Sequence, residues 1–307
     1  MKKPKILGLV GPTASGKSAL ALQAAQAMNG EIVCMDSMQV FQGMDIGTAK
    51  SSRQDRELVP HHMLDIVPPD SPYSVAEYQP QAKAAIEEVL SRDRLPVLCG
   101  GTGLYLRALS REMVFGDTQS DVLIRERYLH MAQEEGNQAV HKILEEKDPE
   151  TAKKLHPNNL RRVIRALEVL ELTGTPMSAQ PQQTDEDGPY DMRLFALAWP
   201  RQELYERINA RADRMLRDGL LRELKGLLDA GVSPQAQSMQ GLGYKELLPY
   251  LRGESTMDDA MELMSRRTRN YAKRQMTWFT ADKRITWLNG KKDPDTNLER
   301  IQTMFDA

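Results

Sequence analysis

Residues 11–18 read Gly11-Pro12-Thr13-Ala14-Ser15-Gly16-Lys17-Ser18 and fit G-x-x-x-x-G-K-[ST] without a mismatch. The motif works in one setting only. It must follow a buried strand and open into a helix, so that inward-facing N–H groups and the helix N-terminus meet a phosphate together. The flanks comply: residues 6–10 are an apolar run of strand length, and residues 17–28 are Ala-rich and read as a helix stopped by Asn29-Gly30. The glycines let the backbone curl, Lys17 brings a mobile positive charge, and the Ser18 hydroxyl can coordinate Mg²⁺. A diphosphate and a triphosphate would use the same cradle, so the loop is silent on which compound it holds.

The alternation of strand and helix continues beyond it. Residues 32–35 form a second strand ending at Asp36, residues 39–60 a long polar loop, and residues 75–92 an amphipathic helix. A strand at 96–99 then breaks into Gly100-Gly101-Thr102-Gly103. Short apolar strands between helices predict a parallel sheet covered on both faces. The middle third has helical pattern only, at 121–135, 138–146, 148–155 and 159–172, with a polar, proline-bearing connection over 175–190. A strand returns at 192–199, followed by helices at 202–217, 220–230 and 257–280, a strand at 284–288 and a last helix. The expected fold is α/β: a P-loop NTPase-like parallel sheet core (residues 1–116 and 191–307) carrying an inserted all-helical domain (residues 117–190).

Of the 307 residues, 40% are hydrophobic and 27% charged, the balance of a globular chain, and no apolar run is long enough to span a bilayer. No signal peptide is expected, because no small-residue cleavage site follows the basic start. Cys34 and Cys99 lie in strand-like runs and read as buried thiols of a reducing, cytoplasmic protein without a metal or catalytic role. A net charge of −2 excludes an overall basic nucleic-acid glove. Two local clusters stand out instead. Arg266, Arg267, Arg269, Lys273 and Arg274 are interleaved with Tyr271 and followed by Trp278 and Phe279, which suits looped RNA or equally a solvated helix with core aromatics. Arg161, Arg162 and Arg165 form the second cluster, with Arg161 and Arg165 one helical turn apart.

Asp36, at the carboxyl end of a buried strand, is a Mg²⁺ ligand, a general base, or a helix N-cap or turn aspartate. Ser37, Met38 and Gln39 suit contact with a flat polar ligand. Asp65 is a second candidate metal carboxylate, whereas the adjacent His61 and His62 read as structural or surface residues. The glycines at 100–103 allow either close approach of a substrate, with Thr102 offering its hydroxyl, or a plain tight turn.

In their order these blocks resemble the bacterial tRNA dimethylallyltransferases (isopentenyl-diphosphate:tRNA transferases). The resemblance is carried by the phosphate loop, Asp36-Ser37-Met38-Gln39-Val40, Met44-Asp45-Ile46-Gly47-Thr48-Ala49-Lys50 and residues 100–105. It continues through His156-Pro157-Asn158 with Arg162 and Arg165, Gln240-Gly241-Leu242-Gly243-Tyr244, and Tyr271-Ala272-Lys273-Arg274-Gln275 with Trp278-Phe279. It implies transfer of a dimethylallyl group from its diphosphate to N6 of adenosine 37, just 3′ of the anticodon. The loop residues Gly11 to Ser18, with Arg211 and Mg²⁺ on Ser18, would grip the diphosphate. Asp36 would be the base, and Lys17, Thr102 and Arg125 would lie near the reacting centre. Asp36, Ser37, Met38, Gln39, Arg161, Arg162, Arg165, Lys273 and Arg274 would contact the anticodon stem-loop, over which the insertion closes. A monomer is expected, and the zinc-finger tail of eukaryotic relatives is not. Two rival readings remain at this point: an ATP-dependent kinase of a small metabolite, with Asp36 or Asp65 on Mg²⁺, and a nucleotide-gated RNA-binding switch that forms no covalent product.

Overall fold

The computed structural model describes residues 3–111, 113, 121–180 and 188–306. The chain opens with β1 (Lys5–Val10), whose residues are buried from Ile6 onward because helices cover both faces of the sheet. The phosphate loop leads into α1 (Lys17–Ala27). Asn29, at φ 50°, takes the left-handed turn alone. Gly30 instead begins β2 (Gly30–Cys34), where a Cβ would stand 2.8 Å from the Leu95 carbonyl oxygen. The sequence expectation that both residues form the helix stop is corrected in that detail.

Residues 39–60 are not all loop. They contain α2 (Arg53–Leu58), held by a capping box between Ser52 and Asp55, and lead into the two-residue β3 (His61–His62). α3 (Val75–Ser91) starts on a second capping box, Ser74 with Glu77. β4 (Leu95–Gly100) and α4 (Gly103–Ser110) complete the first half.

Four helices follow: α5 (Val122–Glu135), α6 (Asn137–Lys147), α7 (Pro149–Ala152) and α8 (Leu160–Thr173). They share a core of their own around Tyr128, Val140, Leu144, Val163 and Leu167. The compact helical unit runs from 112 to 186; the anticipated start at 117 lies outside the described residues. Tyr190, anticipated within the insertion, packs against the sheet core. Its segment is recaptured early, since Gly188 N–H donates to Ser110 O at 3.2 Å and Asp191 N–H to Pro4 O at 2.9 Å.

The core then resumes with β5 (Asp191–Ala198), α9 (Arg201–Asp218), α10 (Leu220–Asp229), α11 (Tyr244–Leu251) and α12 (Met257–Ala281). β6 (Ile285–Asn289) and α13 (Pro294–Asp306) close it. All pairings are parallel and the strand order is β3-β2-β4-β1-β5-β6. β1 is the point from which the sheet grows in both directions, and in open α/β sheets ligands bind beyond the carboxyl ends of strands at such a switch. The phosphate loop leaves β1 there. No described helix is long and apolar enough to cross a membrane.

Candidate active site

The phosphate loop departs from ordinary backbone at three positions: Gly11 (φ 124°), Ala14 (φ 61°) and Gly16 (φ 97°). Glycine adopts such angles freely, but Ala14 costs on the order of 1 kcal/mol or more and needs support from outside the loop. Three side chains supply it. Arg207 Nε donates to Ala14 O at 2.8 Å and its guanidinium lies 4.1 Å over the Trp199 ring. Trp199 Nε1 donates to Ser15 O at 2.8 Å. On the other side buried Gln275 accepts from Thr13 N–H at 2.9 Å and donates to Gly101 O at 2.7 Å. Gly290 leaves room for this brace, since a Cβ there would meet the Trp199 ring at 2.4 Å.

Lys17 Nζ donates to Pro12 O at 3.2 Å. Burial pushes its pKa down, Cys99 and Asp36 oppose that, and Arg211 adds to it. The Arg211 guanidinium is likewise pushed down by burial and drawn back by Asp36, with no hydrogen-bond or ion-pair partner among the described residues. Two cations and one carboxylate thus face each other across a confined space. Two cavities meet there. The larger, about 990 Å³, has Lys17, Arg53, Arg56, Arg207, Arg211 and Arg214 in its wall. The narrower, about 60 Å³, is lined by Lys17, Ser18, Asp36, Arg211, Tyr271 and Gln275 among others. Lys17, Ser18 and Arg211 belong to both walls.

Asp36 lies two residues beyond the last residue of β2, Cys34. One carboxylate oxygen accepts from Met38 N–H at 2.9 Å, so the turn role is real, yet the group still lines the narrow cavity. Ser37 N–H donates to Thr102 Oγ1 at 3.1 Å, which brings Thr102, the N-cap residue of α4, beside the Asp36 turn. The glycines around Thr102 are needed for close protein contacts, and Gly100 also lines the narrow cavity. A Cβ on Gly100 would lie 2.1 Å from Met35 O, and one on Gly103 would lie 2.2 Å from the Trp278 ring. The Tyr271 hydroxyl is raised by burial and by the charge of Asp36, and it remains a phenol at neutral pH.

Several sequence-derived candidates have other partners. Asp65 is engaged on both oxygens, by Lys50 at 2.5 Å and Arg56 at 2.8 Å, which removes it as a free metal ligand. His62 pairs with Glu31 at 2.7 Å and His61 with Val59 O at 2.8 Å, both structural. Gln39 donates to the carbonyls of Thr48 (3.0 Å) and Ala49 (3.2 Å) and so ties the following loop. On α12 the basic cluster divides: Arg267 pairs with Glu246 at 3.0 Å and Arg269 with Asn209 at 2.7 Å. Arg266, Lys273 and Arg274 are exposed, Arg274 5.6 Å over the Tyr271 ring. Phe279 is core, while Trp278 is 38% exposed. Within the helical unit Arg125 and Arg165 converge on the fully buried Glu168, at 2.8 and 2.7 Å, and Arg161 and Arg162 are exposed.

The donors suit Mg²⁺. Exposed Ser18 and the carboxylate of Asp36 line one cavity, and no group of three or more His, Cys, Asp or Glu among the described residues could hold a metal unaided. Mg²⁺ keeps waters and takes substrate phosphate oxygens, so few protein ligands suffice. The Ser15 hydroxyl is buried without a hydrogen-bond partner in a loop built for phosphate.

A phosphate-loop motif at the switch point of an all-parallel sheet, faced by arginines and one carboxylate, defines a phosphate-loop α/β protein. The comparisons narrow this. The family model described as IPP transferase matches residues 39–282, and the chain belongs to that family, the tRNA dimethylallyltransferases. It is 48% identical to the tRNA dimethylallyltransferase of Pelotomaculum thermopropionicum, over 94% of this chain and 91% of that protein. It is 46% identical to tRNA dimethylallyltransferase 1 of Trichlorobacter lovleyi, over 99% of both. Its structure is similar to that of the full-length tRNA isopentenylpyrophosphate transferase of Bacillus halodurans, with a TM-score of 0.74, 40% identity, and 99% and 96% of the two chains covered. It is also similar to a eukaryotic dimethylallyltransferase acting on tRNA, with a TM-score of 0.82, 32% identity, and 97% and 77% covered. The resemblance drawn from the sequence blocks, and the α/β class with its parallel sheet, hold.

Proposed function

We propose that this protein transfers the dimethylallyl group of dimethylallyl diphosphate to N6 of adenosine 37 in tRNA, releasing diphosphate. The carrying observation is the narrow cavity in which Lys17, Ser18 and Arg211 meet Asp36. An allylic C1–O bond breaks with cation character at carbon, and the charge gathers on the leaving diphosphate. Lys17, Arg211 and the loop N–H groups hold that charge, and preorganised stabilisation of this kind does most to lower the barrier. Mg²⁺, when bound at Ser18, would add further neutralisation of the diphosphate.

As the N6–C1 bond forms, the amine proton passes to Asp36, whose second oxygen is not used by the Met38 N–H. Water would capture the cation, so the bound substrates themselves must displace it from the cavity. An adenine stacked in the anticodon loop cannot present N6, so the base flips into the cavity. Exposed Lys273 and Arg274, and Arg161 and Arg162 of the helical unit, supply phosphate contacts for the RNA. We take the protein to act as a cytoplasmic monomer; the free, buried Cys34 and Cys99 accord with a reducing compartment.

The test mixes the protein and Mg²⁺ with radiolabelled dimethylallyl diphosphate and unmodified tRNA. Label is expected on tRNA with adenosine at position 37 and none with guanosine there. Asp36→Asn should lower turnover about 10²-fold or more while tRNA affinity changes less than about threefold. Equal losses in both would remove the base role. ATP consumption driven by a small metabolite, without labelled tRNA, would favour the kinase instead.

A further inference from the structure

We infer that Glu223 is a positioning residue: through the backbone of residues 45–47 it sets the wall of the cavity that faces the phosphate loop. The inference rests on the reading that this cavity receives the diphosphate.

Glu223 lies in the first turn of α10, which follows α9 after Gly219 at φ 112°. Its carboxylate is saturated by four donors. Oε2 accepts from Asp45 N–H and Ile46 N–H, each at 2.8 Å. Oε1 accepts from Gly47 N–H at 3.1 Å and from the Tyr244 hydroxyl at 2.6 Å. Three consecutive amides turned onto one side chain form a small anion nest, here filled by the protein itself. Gly47 is required by the same arrangement, because a Cβ would lie 2.4 Å from the Tyr244 ring. Tyr244 is fully buried, and burial together with the Glu223 charge raises its hydroxyl so that it stays a donor.

The segment held in this way is not remote. Asp45, Ile46, Ala49 and Lys50 line the large cavity together with Lys17 and Arg211, and Glu223 itself does not. α9 carries Arg207, Arg211 and Arg214, three positions of one helical face, into the same cavity. The carboxylate therefore couples one wall to the helix pair that bears the arginines of the other. Only an acceptor without protons suits three converging N–H groups, since glutamine would set an N–H₂ against one of them.

The experiment measures binding of inorganic diphosphate with Mg²⁺ by calorimetry, and steady-state transfer, for the full chain and for Glu223→Gln and Tyr244→Phe. Glu223→Gln should weaken diphosphate binding and raise KM for dimethylallyl diphosphate about tenfold, with kcat and KM for tRNA within about threefold. Tyr244→Phe removes one donor of four and should weaken diphosphate binding about two- to fourfold. A fall in melting temperature or active fraction with unchanged diphosphate affinity would reduce Glu223 to a purely structural role and overturn the inference. If Glu223→Gln does not fold, unchanged affinity in Tyr244→Phe overturns it equally. Diphosphate binding needs no RNA and no turnover. A wild-type chain that binds diphosphate but labels no tRNA would therefore refute the proposed function while leaving the Glu223 contrast readable.

Discussion

Lys17 is an ammonium held where burial disfavours it. With its pKa below 10.5 in the folded chain, the unfolded state binds the extra proton more readily. Stability therefore rises as pH climbs from the folded pKa toward that unfolded value, and the cost is complete below the folded pKa. An arriving diphosphate reverses the penalty. Lys17→Met should leave the ligand-free protein at least as heat-stable as wild type, while kcat/KM falls about 10²- to 10³-fold. Differential scanning calorimetry and the transfer assay read the two effects separately. The residues legible in the sequence at this scale are those whose type and spacing announce chemistry, the phosphate loop and Asp36, whereas Arg211 enters only through the family resemblance. The brace around the loop was not legible, because Gln275 reaches Thr13 across 262 positions of chain and no local pattern records such a contact. Asp65 was misread for the opposite reason. Its partners Lys50 and Arg56 are near in sequence, but only the folded loop turns them onto it.

Among the elements, α3 was readable because apolar periodicity and a capping box agree over its length. α2 was not, since it buries no residue at all and thus has no periodic signal. α11 is eight residues long with Pro249 inside, too short and too irregular to announce itself. In the helical unit, Glu168 determines how two arginines are presented. Burial raises its carboxyl, but Arg125, Arg165 and the Asp121 N–H lower it by more, so the net shift is downward. The contribution is complete above the ordinary carboxylate range and is lost as pH falls through the lower folded value. Glu168→Gln should cost about 1–2 kcal/mol at pH 7, the partial exposure of both arginines limiting the figure. The gap to wild type should begin to narrow in melts run below the ordinary carboxylate range and close as pH falls through the lower folded value.

At the scale of the molecule, every residue assigned to the diphosphate lies in the sheet unit, made of residues 1–111 and 187–307. The two ends of that unit already touch through the Gly188–Ser110 hydrogen bond. Replacing residues 112–186 by a short Gly/Ser linker should preserve Mg²⁺-dependent diphosphate binding within about threefold. The same chain should lose tRNA affinity by about tenfold or more, since its phosphate contacts fall from two units to one. Calorimetry and filter binding decide both points. The existence of a strand-free middle third was plain from the sequence, but its edges were not, because Gly188 and Tyr190 are claimed by the sheet through contacts made far along the chain.

The central place of β1 has a consequence in time. The strand pairs with β4 on one side and with β5 on the other, and β5 is translated only after the whole helical unit. Lys5 at its start donates to Phe305 O at 2.8 Å, a partner made near the end of synthesis. A nascent chain must therefore carry one open, apolar edge of its first strand while the helical unit, built from local contacts, has everything it needs to fold. The interval in which that edge waits for β5 is the moment at which this protein most needs a chaperone, and slowing the ribosome between residues 111 and 190 would lengthen it.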